Sequence, residues 1–234
     1  MEGKRIAGTK RGMEGGGRST AGRLPARCLE WLLSSRLEFL GDILKNGRMK
    51  FFSAHLPVMA TWPDVTRTGP GGFSVNMTVK GIGLLPAAGL LADYTDIFES
   101  TLADARGCPW AESLSKRVEA SARLYSDAAH FDPAVLGGLE IFMGKAAGNM
   151  MENPRASLLY SGMKSTPAGM EYISFQVNGA IEILGKQNPY YRFLLASRKL
   201  FEFEKFHLFQ SDYPFGYLIR VEEVLDKSPF PGPR

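Results

Sequence analysis

The stretch from Leu139 to Tyr160 constrains this chain most. Leu139–Met143 is an apolar run with strand character, and it stops at Gly144-Lys145. Ala146–Glu152 predicts a short helix. Asn153-Pro154 ends it, because the residue before a proline is pushed out of the helical region. A second apolar strand, Ala156–Tyr160, begins at once. Where a strand feeds a helix, the first-turn N–H groups lack partners and the dipole favours an anion. Gly144-Lys145 at that junction can make a phosphate site, with Lys145 as a mobile point charge. The same junction also occurs as a plain connection with a solvated lysine.

Composition narrows the class. At 234 residues, 44% hydrophobic and 22% charged, the chain has material for a sizeable core. Fifteen Phe and eight Tyr suit a β-rich barrel with packed aromatics. No run reaches the ~18–20 apolar residues of a membrane span. The longest, residues 81–92, is broken by Gly83, Pro86 and Gly89, so no membrane partner is expected. Cys28 and Cys108 form no Cys-x-x-Cys pair, and no signal-type apolar segment is present. A reducing, cytoplasmic setting is the simplest expectation. His55, His130 and His207 have no metal-site spacing, so no metal is expected.

The net charge of +4 is unevenly placed. Residues 1–27 hold seven Lys/Arg and two acids, leaving 21 basic and 22 acidic residues beyond them. The folded part is near neutral, which argues against a nucleic-acid partner. Residues 1–27 read as a disordered basic tail, 28–230 as one domain, and 231–234 as a flexible C-terminus.

Along the chain, Ala26–Lys45 repeats apolar residues at three and four: Leu29, Leu32, Leu33, Leu37, Leu40, Ile43 and Leu44. That pattern predicts an amphipathic helix stopped by Asn46-Gly47. Met49–Thr61 reads as a strand or two short ones. Phe73–Lys80 alternates, with Phe73, Val75, Met77 and Val79 on one face, and predicts a half-buried antiparallel strand. Asp93 predicts an N-cap for a helix to about Ala105, and a second helix covers about Trp110–Ala128 with a narrow surface stripe. Glu171–Leu184 reads as strand, Tyr190–Phe206 as helix, and Gly216–Asp226 as the last strand.

Three segments in this order resemble the pyridoxamine 5′-phosphate oxidase-like, FMN-binding split-barrel family. The first is Gly144-Lys145-Ala146-Ala147 through Asn153-Pro154-Arg155-Ala156-Ser157-Leu158. The second is Phe175-Gln176-Val177-Asn178-Gly179-Ala180-Ile181-Glu182, and the third Leu218–Pro229. Together they span about residues 135–230.

The resemblance implies an α+β, mainly β fold: a split β-barrel of the FMN-binding type with an N-terminal helix. A helical insertion at about 93–128 would cover or enlarge the pocket. It also implies a homodimer with FMN across the subunit interface. Lys145 matches the family lysine on the FMN phosphate. Phe142, Met143 and Gly144 match strand-end positions whose backbone lies along the flavin. Gln176 matches a glutamine near the ring, or is a polar residue on a strand's outer face. Asn149 contacts the phosphate or is an ordinary helix-surface residue.

The departures bear on function. The family's first-hairpin signature is not recognisable, and the chain ends in Phe230-Pro231-Gly232-Pro233-Arg234 instead of the usual motif. The C-terminal arginine–histidine pair that grips pyridoxal phosphate in the oxidase proper is absent, so vitamin B6 oxidation is not expected. No nucleophile–base constellation is visible, which suits a flavoenzyme because the flavin carries the hydride chemistry. The leading expectation is an FMN-dependent oxidoreductase acting on an unidentified small molecule. The alternatives are a non-catalytic flavin, deazaflavin or haem carrier of the same fold, or a cofactor-free interaction protein. His207 is then a haem ligand or a helix-end histidine. Cys108 is a reactive thiol or an inert loop residue.

Overall fold

The computed structural model describes residues 19–46, 53–64, 73–167, 169–202 and 210–229. The strands are β1 (Ser19–Ala21), β2 (Val58–Thr61), β3 (Asn76–Val79), β4 (Ile82–Pro86), β5 (Phe131–Glu140), β6 (Arg155–Thr166), β7 (Gly169–Leu184) and β8 (Phe215–Asp226). The helices are α1 (Ala26–Asn46), α2 (Leu91–Asp104), α3 (Trp110–Tyr125), α4 (Lys145–Glu152) and α5 (Pro189–Lys199).

Seven strands form one antiparallel sheet in the order β3-β2-β6-β7-β8-β5-β4, and β1 lies beside β8. Its two outermost strands, β3 and β4, are consecutive in the chain and separated only by Lys80-Gly81. A sheet whose edges are joined by two residues must curl until those edges meet. No β3–β4 ladder closes it among the described residues, so the barrel stays open. The preceding segment spans the split instead. The Pro57 and His55 carbonyls accept the N–H groups of Lys80 and Ile82 at 3.1 and 2.9 Å.

The pleat explains which residues fill the interior. Ile173, Phe175, Val177 and Ile181 of β7 alternate inward, as do Ala156, Leu158 and Tyr160 of β6. Helix α1 packs on this interior. Trp31 meets Tyr160 edge-on and Phe175 at a tilt, each with centroids 6.4 Å apart. Gly162 makes room for it, since a Cβ there would sit 2.8 Å from the Trp31 indole. At the helix start Arg27 pairs with Glu171 and Asp226 at 2.6 and 2.5 Å, fixing α1 to β7 and β8. Helix α3 rests on α1, α2 lies between α3 and α5, and α5 packs on β5 and β8. Phe98 of α2 stacks on Phe193 of α5 at 5.6 Å.

The mixed α+β class with a largely antiparallel sheet is as the sequence implies, and the paired helices between β4 and β5 are present. Several readings need correction. The apolar run to Met143 is not all strand: β5 is Phe131–Glu140, and residues 141–144 turn away from the sheet. The buried stripe of α1 includes Cys28, Trp31 and Arg36, while Leu37 and Leu44 are exposed. Arg36 is tolerated there because its guanidinium lies 5.3–5.5 Å from the rings of Phe39, Tyr125 and Phe201. Helix α3 is no surface helix: Leu114, Val118, Ala120, Leu124 and Tyr125 are buried. Helix α2 starts at Leu91 after a 3-10 turn, so Asp93 lies in its first turn and is not its cap. Helix α5 ends at Lys199, and residues 203–209, with His207, lie outside the described residues. In the segment read as a disordered tail, residues 19–21 form β1 against β8 and Ala26-Arg27 opens α1. Residues 1–18 and 230–234 lie outside the described part.

The largest departure concerns β3. Its apolar side chains do not face the core. Met77 and Val79 are 67% and 51% exposed, and Phe73 and Val75 just before the strand are exposed too.

Candidate functional site

A cavity inside the open barrel is lined by Arg36, His55, Tyr125, Tyr160 and apolar neighbours from α1, β4 and β5. Its volume is about 10 Å³, room for roughly one water. It is far below the ~300 Å³ at which ligand pockets begin. A planar cofactor does not fit in this cavity. His55 lines this space with Nδ1 3.0 Å from the Ile82 carbonyl. A carbonyl can only accept, so Nδ1 carries the proton. Burial, with the buried Arg36 charge nearby, pushes the imidazole down to about 3, and His55 is neutral.

The surface feature with chemistry is the turn from β5 into α4. Glu140 ends β5 buried, 2% exposed. Its carboxylate takes Lys80 Nζ at 2.6 Å on both oxygens, and Oε1 accepts the Phe142 N–H at 3.4 Å. The Phe142 carbonyl accepts the Gly144 N–H at 2.7 Å, and the Ile141 carbonyl accepts Gln210 Nε2 at 3.5 Å. These bonds turn Phe142 and Met143 outward, 58% and 60% exposed. Gly144 is the N-cap of α4 and supplies no side-chain cap. The first-turn N–H groups of α4 thus have no side-chain cap, and Lys145 beside them is exposed. Lys145 makes no ion pair among those of the described residues. Two apolar side chains, several unpaired donors and a lysine within four residues can hold a flat apolar ring that carries an anionic group.

Phe142, Met143, Gly144 and Lys145 are brought together by the turn. Asn149 is turned the other way: it is buried and donates to Thr61 Oγ1 at 3.3 Å, fixing α4 to the end of β2. Gln176 lies on the outer face of β7 and donates to Asn178 Oδ1 at 3.0 Å. Ser157 and Glu223 join the same polar row, giving Ser157–Asn178–Glu223 across β6, β7 and β8. Sequence reading missed Lys80, Glu140 and the cross-strand bonds of this row, because those partners lie 21 to 60 positions apart.

An apolar face adjoins the row. Cross-strand pairing aligns Val79, Val58, Leu159 and Gln176, and then Met77, Ala60, Ser157 and Asn178. Met163, Tyr172 and Met170 extend the same face along β6 and β7 and are exposed. Elsewhere among the described residues, no group of three His, Cys, Asp or Glu is placed to hold a metal. No described helix is long and apolar enough to cross a membrane.

No family model matches this chain. No curated protein matches it either. Solved structures similar to it include three of related description. One is an FMN-binding protein from Syntrophomonas wolfei, with 9% identity and a TM-score of 0.41 over 88% of this chain and 95% of that one. A second is a pyridoxamine 5′-phosphate oxidase candidate from Lactobacillus delbrueckii, with 14% identity and a TM-score of 0.38 over 88% and 96%. The third is HutZ, the haem storage protein of Vibrio cholerae, with 8% identity and a TM-score of 0.38 over 74% and 86%. Likenesses this distant transfer none of those proteins' ligands to this chain.

Proposed function

We propose that this chain is an FMN-binding flavoprotein that uses the cofactor to oxidise or reduce a small molecule. One observation carries the reading: the exposed Phe142–Lys145 turn, where two large apolar side chains sit directly before an uncapped helix N-terminus and an exposed lysine. The donor set fits the group. First-turn N–H groups and Lys145 suit a phosphate, and Phe142 and Met143 suit one face of an apolar ring. When bound, the flavin supplies hydride or electron transfer. The chain's own residues bind its phosphate, orient the ring and exclude water from one side.

The reading includes a homodimer, with the apolar outer face of β3, β2, β6 and β7 packed against a second copy. Phe73, Val75, Met77, Val79, Leu159, Met163, Met170 and Tyr172 are large apolar residues exposed on or beside that face. At about 100 Å² each they reach the ~800 Å² per partner of a standard interface.

The test is the absorbance spectrum of the purified protein, with released cofactor identified by mass, followed by titration of cofactor-free protein with FMN. A flavin spectrum, or saturable FMN uptake that Lys145→Ala weakens at least tenfold (about 1.4 kcal/mol), supports the reading. A haem spectrum, or a colourless protein that takes up no FMN, sinks it.

A further inference from the structure

The ion pair between Lys80 and Glu140 is the buried charge pair nearest the proposed site, and nothing in the proposed chemistry uses it. Glu140 is 2% exposed and the Lys80 side chain 12%, with Nζ 2.6 Å from each carboxylate oxygen. Burying a carboxylate and an ammonium costs more than their attraction returns unless geometry is good. Even with the close geometry seen here, such a pair adds little over well-packed apolar side chains of similar volume. Its placement suggests another role. Lys80 lies in the two-residue corner that joins the sheet's edges, and Glu140 is the last residue of β5. Extending the β4–β5 register from Ile82↔Gly138 sets Lys80 opposite Glu140. The carboxylate that takes the ammonium also takes the Phe142 N–H. One side chain thus connects the corner of the barrel to the first peptide of the Phe142–Lys145 turn.

We propose that Lys80 and Glu140 are positioning residues for the anion and ring site at the start of α4. This rests on the FMN reading above. The pair has two effects. It fixes where the chain leaves β5, and so where Phe142, Met143 and the donors of α4 point. It also neutralises Glu140, whose bare carboxylate would repel an anion at Lys145. Tyr217 feels the same carboxylate's charge. Its hydroxyl is buried, and burial with the Glu140 charge raises it well above its ordinary range, so it stays a neutral neighbour. The pair therefore keeps its charges to itself.

The experiment compares the full chain with Lys80→Arg, Lys80→Met and the double variant Lys80→Met/Glu140→Leu, reading thermal midpoint, FMN affinity and hydrogen exchange at the Phe142 amide. Lys80→Arg should keep FMN affinity within about threefold, because the ion pair is conserved in kind. Lys80→Met alone leaves an unpaired buried carboxylate and should lower the midpoint. The double variant removes both charges, restores apolar packing and leaves the net charge unchanged, so its midpoint should recover. Its FMN affinity should nevertheless stay at least tenfold weaker than wild type, with faster exchange at Phe142. A double variant that recovers its midpoint and binds FMN as wild type does overturns the positioning role and leaves the FMN reading standing. A wild-type protein that takes up no FMN overturns the FMN reading, and the role assigned to the pair falls with it.

Discussion

His55 shows how one side chain's surroundings set the pH behaviour of the fold. Its imidazole is held neutral, down to about 3, against an ordinary value near 6.5 in the unfolded chain. The unfolded state therefore binds a proton first as pH falls. The contribution of His55 to stability is full above about 6.5 and is lost between about 6.5 and 3, with a limiting slope of about 1.4 kcal/mol per pH unit. Urea unfolding at pH 7 and pH 4.5 should show the loss. His55→Asn keeps a donor for the Ile82 carbonyl but cannot titrate, so it should flatten the slope. The two cysteines divide as sharply. Burial and the Asp226 charge push Cys28 up to about 12, while Cys108 is exposed. Native protein should react with one equivalent of a thiol reagent, and unfolded protein with two.

At the scale of elements, the sheet is tightest where β7 meets β8. The register shifts between Asn178 and Gly179, and a Cβ on Gly179 would lie 2.5 Å from the Arg220 carbonyl oxygen. Gly179→Ala must displace backbone, and a loss of about 1–3 kcal/mol is expected in the urea midpoint. Much at this scale was legible in the sequence. The helical period of α1, though not its full buried stripe, and the Asn-Pro stop after α4 reflect local geometry that tertiary contacts left alone. The end of β5 was not legible. Ile141-Phe142-Met143 reads as strand by composition, and contacts distant in sequence, Glu140 with Lys80 and Ile141 with Gln210, 60 and 69 positions apart, help turn it outward. The same limit applies to the candidate site. The turn and Lys145 could be picked out, because a strand–glycine–helix junction is a local pattern. That Asn149 faces Thr61, 88 positions away, could not.

For the whole molecule, the exposed face of β3 is the observation behind the proposed second copy. Alternation in Phe73–Val79 marks one apolar side, and the fold turns that side outward, beside Leu159, Met163 and Tyr172. If a second copy covers it, sedimentation should give a dimer at micromolar concentration. Charges placed at its middle, as in Met77→Asp with Leu159→Arg, should yield a folded monomer with an unchanged far-ultraviolet spectrum. A wild-type monomer at that concentration refutes the interface.

The pairing of β1 with β8 also bears on how the chain is made. Residues 19–21 find their partners at 223–225, and α1 seats on β6, β7 and β8. During synthesis the amphipathic α1 leaves the ribosome nearly two hundred residues before the strand that completes its seat. Until then its seat is incomplete: Trp31 waits for Tyr160 and Phe175 of β6 and β7, and Arg27 for Asp226 of β8. Ribosome-stalled chains ending before Phe215 should accordingly be held by a chaperone that binds apolar helices, and chains extended past Asp226 should be released.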